Sequence, residues 1–432
     1  MGKRIEVEVG QPGHGGFCIA RHEGRAVFVR HALPGERVIA VVTEGGAKDS
    51  FWRADAVEIL EASEDRVEAP CEYAGPGKCG GCDWQHASYE AQLRIKGQVV
   101  AEQLRRLAKL DREVVVEEVG APLGWRTRVQ FAVDPDGSLG FRKHRSHEVV
   151  PVEECLIASE GVDEVGALER NWPGVETVEV IAATGSTDRA LVVTPARGEQ
   201  MPYVDADVKA SVLRGVSRNT HISGVQRIHG RPYVREVAEG RTWRVSGSGF
   251  WQVHPAAPDV LTEAVLDFLE PRGGESAVDL YCGVGLFTVP LAEAVGEDGA
   301  VLAVELDRQA VRDAAHNLGF EEGVEESAEF PWVDLVEGSV DEVLADDRYA
   351  PDQADVVVLD PPRAGAGRHV CDRVAALRPR AVAYVACDPA SLARDVAYFA
   401  EAGYELTGLR AFDLFPMTRH VECVALLEPT QR

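Results

Sequence analysis

Three cysteines lie close together in the chain, with seven residues between Cys71 and Cys79 and two between Cys79 and Cys82. The chain has nine cysteines in all, an odd number for a long chain without a secretory start. In a reducing compartment, clustered cysteines are more often metal ligands or catalytic groups than disulfides. The cluster therefore predicts a metal centre, and on spacing alone zinc and an iron–sulfur cluster fit equally well.

A second pattern is the Gly-rich turn that contains Asp279, Gly283 and Gly285. It follows an apolar run and lacks the Gly-Lys-Ser/Thr ending of a phosphate-binding loop. An acid before the turn repels a pyrophosphate but suits an ammonium group, and glycines let the backbone approach a ligand closely, which points to S-adenosylmethionine. Glu305 ends the next predicted strand, where an acid accepts hydrogen bonds from ribose hydroxyls. The alternative is a glycine turn of some other α/β protein.

Two further predicted strand ends carry reactive side chains. In LDPPR, two prolines stiffen the loop and aim Asp360 into the predicted cleft. Arg363 stands where amine methyltransferases usually have a stacking aromatic residue, which argues against an exocyclic amine as the target and leaves carbon methylation open. Cys387 comes directly before Asp388 and a predicted helix, and the helix dipole is expected to lower the pKa of its thiol. The alternative for Cys387 is a small buried hydrophobic residue.

The elements that must position these residues divide the chain into three predicted domains. Residues 1–62 contain about five short alternating runs with Gly-rich turns, which is typical of a small closed β-barrel of the oligonucleotide-binding type. Residues 63–240 form a predicted α+β domain that carries the cysteine cluster. In residues 241–432 strands and helices alternate, which predicts a Rossmann-like, doubly wound, mostly parallel sheet with its site at the carboxyl strand ends.

The composition is that of a globular chain, with 432 residues of which 45% are hydrophobic and 27% charged. It has no apolar run of about eighteen residues and no apolar signal core, so we expect a cytoplasmic protein without membrane contact. The net charge of −26 taken alone argues against nucleic-acid binding, which depends on phosphate neutralisation. Basic residues nevertheless gather at 21–37, 94–109 and 141–147, and we interpret the acidity as a solvated surface.

Seven motifs in order resemble the RNA 5-methyluridine methyltransferase family, whose members are class I enzymes that use S-adenosylmethionine. The motifs are CGGCDWQH, GFRKHRSHEVVPVEEC, GFWQV, VDLYCGVG, LDPPR, YVACDPASLARDV and FDLFPMTRHVECVALLE. The N-terminal barrel is similar to the TRAM domain of that family. The resemblance spans nearly the whole chain.

This resemblance implies two cofactors and a set of site residues. It implies a [4Fe-4S] cluster, expected to be structural because four thiolates leave no iron open, with the ligands Cys71, Cys79, Cys82 and Cys155. It places S-adenosylmethionine against Gln252, Tyr281, Glu305 and Asp360, beside the backbone of Gly283 and Gly285. It also implies Cys387 as the nucleophile and Glu422 as the base.

The implied reaction explains why these two residues are needed. Carbon 5 of uracil is a poor nucleophile, and a thiolate that adds to carbon 6 enables carbon 5 to attack the sulfonium methyl group. Glu422 then removes the carbon 5 proton so that Cys387 can leave. The target base must be swung out of its stack to reach the site. Arg363 is a candidate to stabilise the enolate oxygen or to bind a phosphate.

The sequence thus predicts an RNA methyltransferase that forms 5-methyluridine, with ribosomal RNA favoured over transfer RNA and no obligate protein partner. One alternative is a methyltransferase for another nucleic-acid or small-molecule substrate, for which Cys387 would not be required. A second is a metal-bound RNA-binding protein with an inactive methyltransferase domain. The presence of Gln252, Glu305, Cys387 and Glu422 disfavours the second alternative.

Overall fold

The computed structural model describes residues 2–204, 210–215, 225–320 and 329–430. Within these ranges the chain forms a five-stranded barrel, a seven-stranded sheet, a two-stranded hairpin and an eight-stranded sheet. No helix in the described ranges is long and apolar enough to cross a membrane.

The N-terminal barrel is built from strands in which buried and exposed residues alternate. The strands are β1 (Arg4–Gly13), β2 (Phe17–His22), β3 (Arg25–Arg30), β4 (Arg37–Glu44) and β5 (Phe51–Glu61). They close in the order β1-β2-β3-β5-β4. In β1 the alternating residues Ile5, Val7 and Val9 are almost fully buried, as expected for a strand with one face on a core. The predicted five-stranded barrel is therefore confirmed.

The chain then forms a helix and a seven-stranded sheet. Helix α1 (Tyr89–Gln103) is capped by Ser88, whose Oγ accepts a hydrogen bond from the Ala91 backbone N–H at 3.3 Å, and it continues into a π-helical turn, Leu104–Ala108. The following elements are β6 (Val116–Glu118), β7 (Arg128–Val133), β8 (Leu139–Arg142), β9 (Val149–Pro151), α2 (Glu160–Asp163), β10 (Val175–Ala182), β11 (Arg189–Pro195), β12 (Ala210–Gly215) and β13 (Val225–His229). The sheet order is β13-β12-β11-β10-β7-β8-β9.

The C-terminal part begins with a hairpin of β14 (Tyr233–Ala238) and β15 (Arg241–Ser246). Helices and strands then alternate as α3 (Ala257–Leu269), β16 (Ser276–Leu280), α4 (Thr288–Val295), β17 (Ala300–Glu305), α5 (Arg308–Asn317), β18 (Val333–Glu337), α6 (Val340–Val343), β19 (Val356–Leu359), α7 (Gly367–Ala376), β20 (Ala381–Ala386) and α8 (Pro389–Glu401). Two long strands, β21 (Tyr404–Asp413) and β22 (Glu422–Pro429), end the described chain.

The eight-stranded sheet has the order β18-β17-β16-β19-β20-β22-β21-β6. Its first five strands are parallel, and helices cover both faces. In β20, Ala383 and Val385 pack into one hydrophobic cluster with α3 and α4, whereas Val382 and Tyr384 pack into another with α7 and α8. The predicted doubly wound, Rossmann-like sheet is thus confirmed. Strand β6 comes from the predicted central domain but pairs with β21, so segments on both sides of residue 240 share this sheet.

The loop between β21 and β22 is held by the segment that follows the third cysteine of the cluster. The backbone N–H of Asp83 donates to the carbonyl of Met417 at 2.9 Å, and the backbone N–H of Met417 donates to Gln92 Oε1 at 2.9 Å. Lys96 is fully buried and donates to Asp413 Oδ1 at 2.6 Å. A long-range hydrogen-bond network therefore sets the path of the chain into β22.

Candidate active site

The site residues that were predicted from the sequence lie together at one edge of the eight-stranded sheet. The parallel strands β17, β16, β19 and β20 end at this edge, and β22 begins there because it runs antiparallel to β20. A cavity of about 900 Å³ opens at the edge and is lined by Gln252, Tyr281, Gly283, Glu305, Asp360, Cys387 and Glu422, among others. Gly285 belongs to the same turn but does not line the cavity. A volume of this size accommodates a nucleoside-sized ligand and a second substrate group.

The turn after β16 has a backbone that favours glycine. Tyr281, Gly283 and Gly285 have φ angles of 65°, 57° and 97°, in the left-handed region. A Cβ atom at Gly283 would meet no atom within 4 Å, so the turn is open on that side. Glu305 Oε2 accepts a hydrogen bond from the Gly283 backbone N–H at 3.0 Å, which ties the turn to the end of β17.

Two carboxyl groups make the base of the cavity acidic, although only one of them lines it. Asp360 lines the cavity, whereas Asp279 is buried behind the lining on β16. Asp279 is fully buried, its Oδ2 accepts a hydrogen bond from Thr288 Oγ at 2.6 Å, and its Oδ1 has no hydrogen-bond partner. Burial is the main cause that raises the pKa of Asp279 to about 7. Burial and the nearby Asp279 likewise raise the pKa of Asp360 to about 7. The base of the cavity is therefore an acidic environment that a cationic ligand would stabilise.

Cys387 and Glu422 face each other across the end of the ladder between β20 and β22. Ala386 pairs with Cys423, so one further residue in the same register sets Cys387 opposite Glu422. Side chains at opposite positions of an antiparallel pair lie on the same face, with Cβ atoms about 5 Å apart. Both side chains line the cavity.

The electrostatics of this pair differ from the sequence-based expectation. Helix α8 begins after Cys387 as predicted, but burial, followed by the charge of Glu422, raises the pKa of the thiol to about 12. The expected lowering of the thiol pKa is wrong, because desolvation and the negative charges of Glu422, Asp360 and Asp388 all raise it. Burial and Asp360 raise the pKa of Glu422 well above its usual range. The charge of Arg363 opposes this rise at both Cys387 and Glu422 without cancelling it.

The cysteine cluster lies in a separate cavity. This cavity of about 200 Å³ is lined by Cys71, Cys79, Cys82 and Cys155, all of which are free thiols. N–H groups already point at two of the sulfur atoms, because the Gly81 backbone donates to Cys79 Sγ and Gln85 Nε2 donates to Cys82 Sγ, both at 3.4 Å. In the part of the chain that the structure describes, no group of three His, Cys, Asp or Glu side chains is arranged to hold a metal ion.

Comparison with known proteins decides the family. A family model described as tRNA (Uracil-5-)-methyltransferase matches residues 233–430, and a TRAM domain model matches residues 1–55. An uncharacterised RNA methyltransferase of Streptomyces coelicolor is 55% identical over 100% of this chain and 94% of its own length. The chain belongs to the family of RNA uracil-5-methyltransferases. It is an S-adenosylmethionine-dependent RNA methyltransferase.

Two further comparisons place this methyltransferase more broadly. An uncharacterised RNA methyltransferase of Bifidobacterium longum is 37% identical over 98% of this chain and 96% of its own length. The crystal structure of Pyrococcus abyssi tRNA (uracil-54, C5)-methyltransferase in complex with S-adenosyl-L-homocysteine has a TM-score of 0.71 and 23% identity, and the match covers 98% of this chain and 100% of that one. This likeness shows that the two chains share their overall fold.

The cavity of this methyltransferase is also lined by residues that the sequence analysis does not assign, namely Trp125, Arg126, Phe250, Phe415, Thr418 and His420. Phe250 is 69% exposed beside Gln252, so an aromatic residue next to a cofactor motif was an available signal. His420 Nε2 lies 3.5 Å from Arg363 Nη2, and burial together with Arg363 lowers the His420 pKa to about 3. Trp125 comes from the central segment, and no local pattern connects it with the edge of the C-terminal sheet.

Proposed function

We propose that this enzyme methylates carbon 5 of a uridine in RNA through a transient covalent bond between Cys387 and carbon 6 of the base. The observation that carries the proposal is the placement of Cys387 opposite Glu422 at the cavity edge. The Cys387 thiolate adds to carbon 6, and carbon 5 becomes nucleophilic enough to accept a methyl group. Glu422 then removes the carbon 5 proton, and the electron pair of that bond expels the thiolate.

The surroundings of Cys387 show what its thiol needs to react. Burial and the charge of Glu422 raise the pKa of the thiol to about 12, so positive charge nearby is needed to favour the thiolate. S-adenosylmethionine supplies the methyl group and a positively charged sulfonium when bound. Positive charge in the cavity acts in the same direction as Arg363 and favours the thiolate. The raised pKa of Glu422 makes it a strong proton acceptor once it is ionised.

The cavity fits S-adenosylmethionine on two observations. The acidic side chains of Glu305 and Asp360 line the cavity and suit a cationic ligand with ribose hydroxyls, and the turn at Gly283 is open where a Cβ atom would meet nothing. We propose that the cofactor contacts Gln252, Tyr281, Glu305 and Asp360, with the backbone of Gly283 and Gly285 beside it. Replacing Glu305 by Gln should weaken S-adenosylmethionine binding measured by calorimetry, because a neutral amide accepts hydrogen bonds from ribose hydroxyls less strongly.

We further propose that Cys71, Cys79, Cys82 and Cys155 hold a [4Fe-4S] cluster. The donor set fits, because four free thiols line one cavity and N–H groups point at two of the sulfur atoms. Four thiolates would leave no iron open, so the cluster would join residues 71–82 to Cys155 in the loop between β9 and α2. Anaerobically purified protein should be brown and carry about four irons per chain. Colourless protein with one zinc would overturn this assignment.

The target RNA is ribosomal or transfer RNA, and one experiment tests both the reaction and the target. Mass-spectrometric mapping of both RNA classes from a deletion strain should reveal one uridine that loses its 5-methyl group. Purified enzyme with S-adenosylmethionine should restore that group in the unmodified RNA. A complete set of 5-methyluridines in the deletion strain would contradict the proposal. A different lost modification would favour a methyltransferase for another substrate.

A further inference from the structure

The turn between β1 and β2 carries a histidine that contacts the segment of the nucleophile. His14 is the first residue of this turn, and its Nε2 lies 3.1 Å from Oδ2 of Asp388. Asp388 follows Cys387 directly in the chain. The contact therefore joins the N-terminal barrel to the residue next to the proposed nucleophile, although the two partners come from opposite ends of the chain.

The two carboxylate oxygens of Asp388 have separate partners. Oδ1 accepts hydrogen bonds from the backbone N–H groups of Ala390 and Ser391, at 3.0 and 2.9 Å, and so caps helix α8. Oδ2 is the oxygen that His14 contacts. Asparagine caps a helix as well as aspartate does but carries no charge. The cap and the contact with His14 can therefore be separated by a substitution.

The turn that carries His14 is fixed on its other side. Gly16 has a φ angle of 78°, and a Cβ atom there would come within 2.6 Å of Asp83 Oδ1. Asp83 is buried, and its Oδ2 accepts a hydrogen bond from the Arg419 backbone N–H at 3.0 Å. Arg419 belongs to the loop that leads to Glu422. The turn is therefore packed against this loop as well as against Asp388.

Negative charge beside Cys387 disfavours the thiolate. Burial and the charge of Glu422 are the main causes that raise the pKa of the thiol to about 12, and the charges of Asp360 and Asp388 add to the rise. Glu422 and Asp360 line the cavity, whereas Asp388 does not. A partner that compensates the charge of Asp388 would therefore favour the thiolate without taking up space in the cavity.

His14 is suited to be this partner. Burial acts against ionisation of Asp388, but the hydrogen bonds from His14 and from the backbone of α8 lower its pKa to about 2. An imidazole N–H directed at a carboxylate disperses the negative charge, and a protonated ring neutralises it. The side chains of His14 and Asp388 are 37% and 26% exposed, so the contact should add little to the free energy of unfolding.

We propose that His14 is a positioning residue for the nucleophile, because its contact with Asp388 offsets the negative charge next to Cys387 and favours the thiolate that attacks the base. This inference rests on the proposed function, since it assigns a partner to the proposed nucleophile. It gives the N-terminal barrel a part in the methylation reaction itself.

The test measures how fast iodoacetamide alkylates Cys387 in the folded protein at a fixed pH, with the modified peptide quantified by mass spectrometry. The thiolate is the reactive form, so the rate reports its fraction. His14→Ala should slow alkylation roughly three- to tenfold, because Asp388 then keeps its full charge. Asp388→Asn should accelerate alkylation by a similar factor, because it removes the charge and keeps the cap.

The double variant shows whether His14 acts through Asp388. In the Asp388→Asn background, His14→Ala should change the alkylation rate by less than about twofold. The matched control is His22→Ala, because His22 is another barrel histidine near a carboxylate, with Nε2 3.9 Å from Glu23 Oε1. This control should be alkylated like the unchanged protein. In turnover, His14→Ala should lower kcat and leave the KM for S-adenosylmethionine unchanged.

The outcomes separate this inference from the proposed function. If Cys387→Ala still forms 5-methyluridine, the proposed function fails. If methylation requires Cys387 but His14→Ala is alkylated at the normal rate, only the role of His14 is overturned. The same holds if His14→Ala slows alkylation equally with and without the charge of Asp388. A clear fall in the melting temperature of His14→Ala would also overturn it, because the contact would then be structural.

Discussion

The active-site cavity and the outer face of the barrel differ in charge and in exposure. Asp360 lines the cavity and Asp279 is buried behind it, and both carboxyl groups have pKa values raised to about 7. The outer face of the barrel presents the partly exposed rings of Phe17, Phe28 and Phe51, and the Arg53 guanidinium lies over the Phe51 ring. One region is suited to a small cation and the other to a polyanion. The net charge of the chain therefore says little about either region, since opposite charges are separated within one molecule.

This difference predicts that changes in the two regions affect different quantities. Substitutions at the cavity should affect the rate or the binding of S-adenosylmethionine and leave RNA affinity largely unchanged. Substitutions on the barrel face should affect RNA affinity and its salt dependence.

The largest effect is expected at the pair Cys387 and Glu422. Cys387→Ala and Glu422→Gln should each reduce turnover by at least about 10⁴-fold, because each removes a group that takes part in bond making or breaking. Only Glu422→Gln should accumulate a protein–RNA adduct that survives a denaturing gel. In this variant Cys387 can still add to the base and the methyl group can still be transferred, but nothing removes the carbon 5 proton to release Cys387. RNA binding by both should stay normal.

An adduct-free Glu422→Gln variant that still binds RNA and S-adenosylmethionine would contradict the role of Glu422 as the late base. Cys423→Ala serves as a matched control, because Cys423 is the buried neighbour of Glu422 and points into the opposite hydrophobic layer. Cys423→Ala should therefore turn over like the unchanged protein and should accumulate no adduct.

A large effect on assembly is expected at Cys155. Cys155→Ala should lose iron and soluble protein together, because the proposed cluster connects segments far apart in sequence. Iron content and the yield of soluble protein are the measurements. Cys371→Ala is the control, since Cys371 is a fully buried thiol among apolar residues. Iron retained at the normal level in Cys155→Ala would remove Cys155 from the ligand set.

The acidic base of the cavity predicts a pH-dependent affinity for the cofactor. With pKa values raised to about 7, Asp279 and Asp360 are largely protonated at pH 6 and ionised at pH 8. A cation binds better to the ionised form, so the affinity for S-adenosylmethionine should fall about tenfold for each group between pH 8 and pH 6. S-adenosylhomocysteine has no sulfonium charge and should show a flatter profile in the same calorimetric titration. Equal profiles for the two ligands would contradict an electrostatic role for these acids.

The same two groups predict a trend in stability without ligand. Their folded pKa values lie above the value of about 3.9 for an unfolded aspartate. Their contribution is therefore fully present below about pH 4 and is lost as the pH rises through about 7. The free energy of unfolding of Asp279→Asn should vary less over this window than that of the unchanged protein. An identical pH dependence in denaturant titrations would contradict the raised pKa of Asp279.

The smallest effect is expected at Gln92, which acts on the cavity from a distance. Gln92→Ala removes the acceptor of the buried Met417 N–H. A lost buried hydrogen bond of roughly 1 kcal/mol should lower kcat about fivefold, with S-adenosylmethionine affinity and the salt slope of RNA binding unchanged. Glu90→Ala, an exposed change on the same helix, is the control. A drop in cofactor affinity equal to the drop in kcat would show general damage instead of a displaced loop.

The site residues that could be predicted from the sequence are those that lie at the ends of strands. Glu305, Asp360 and Cys387 each follow a run that reads as a parallel strand, and the carboxyl ends of such strands share one edge. Glu422 came only from the family resemblance, because it begins an antiparallel strand whose register is not visible in the sequence. The thiol pKa was predicted with the wrong sign, because the depth of burial at Cys387 depends on packing that a local pattern does not contain.

Contacts between segments far apart in the chain could not be predicted from the sequence either. Strand β6 has three residues, too few for a pattern, and pairs with β21 nearly three hundred positions later. Nothing in the residues around Asp83 or Gln92 indicates Met417 as their partner. Such pairings are decided by the packing of the whole chain, which sequence periodicity does not describe.

The hydrogen bonds between Gln92 and Met417 have a consequence for synthesis of the protein. They join residues 325 positions apart, so the loop that leads to Glu422 cannot be held in place while the chain is still being translated. The N-terminal half can fold first on the ribosome, and Gln92 then has no Met417 partner until the C-terminal part has been made. A fragment that begins at the hairpin before α3 would contain both proposed catalytic residues yet lack the partner that orders them. We therefore expect such a fragment to be inactive until the missing half is supplied in trans.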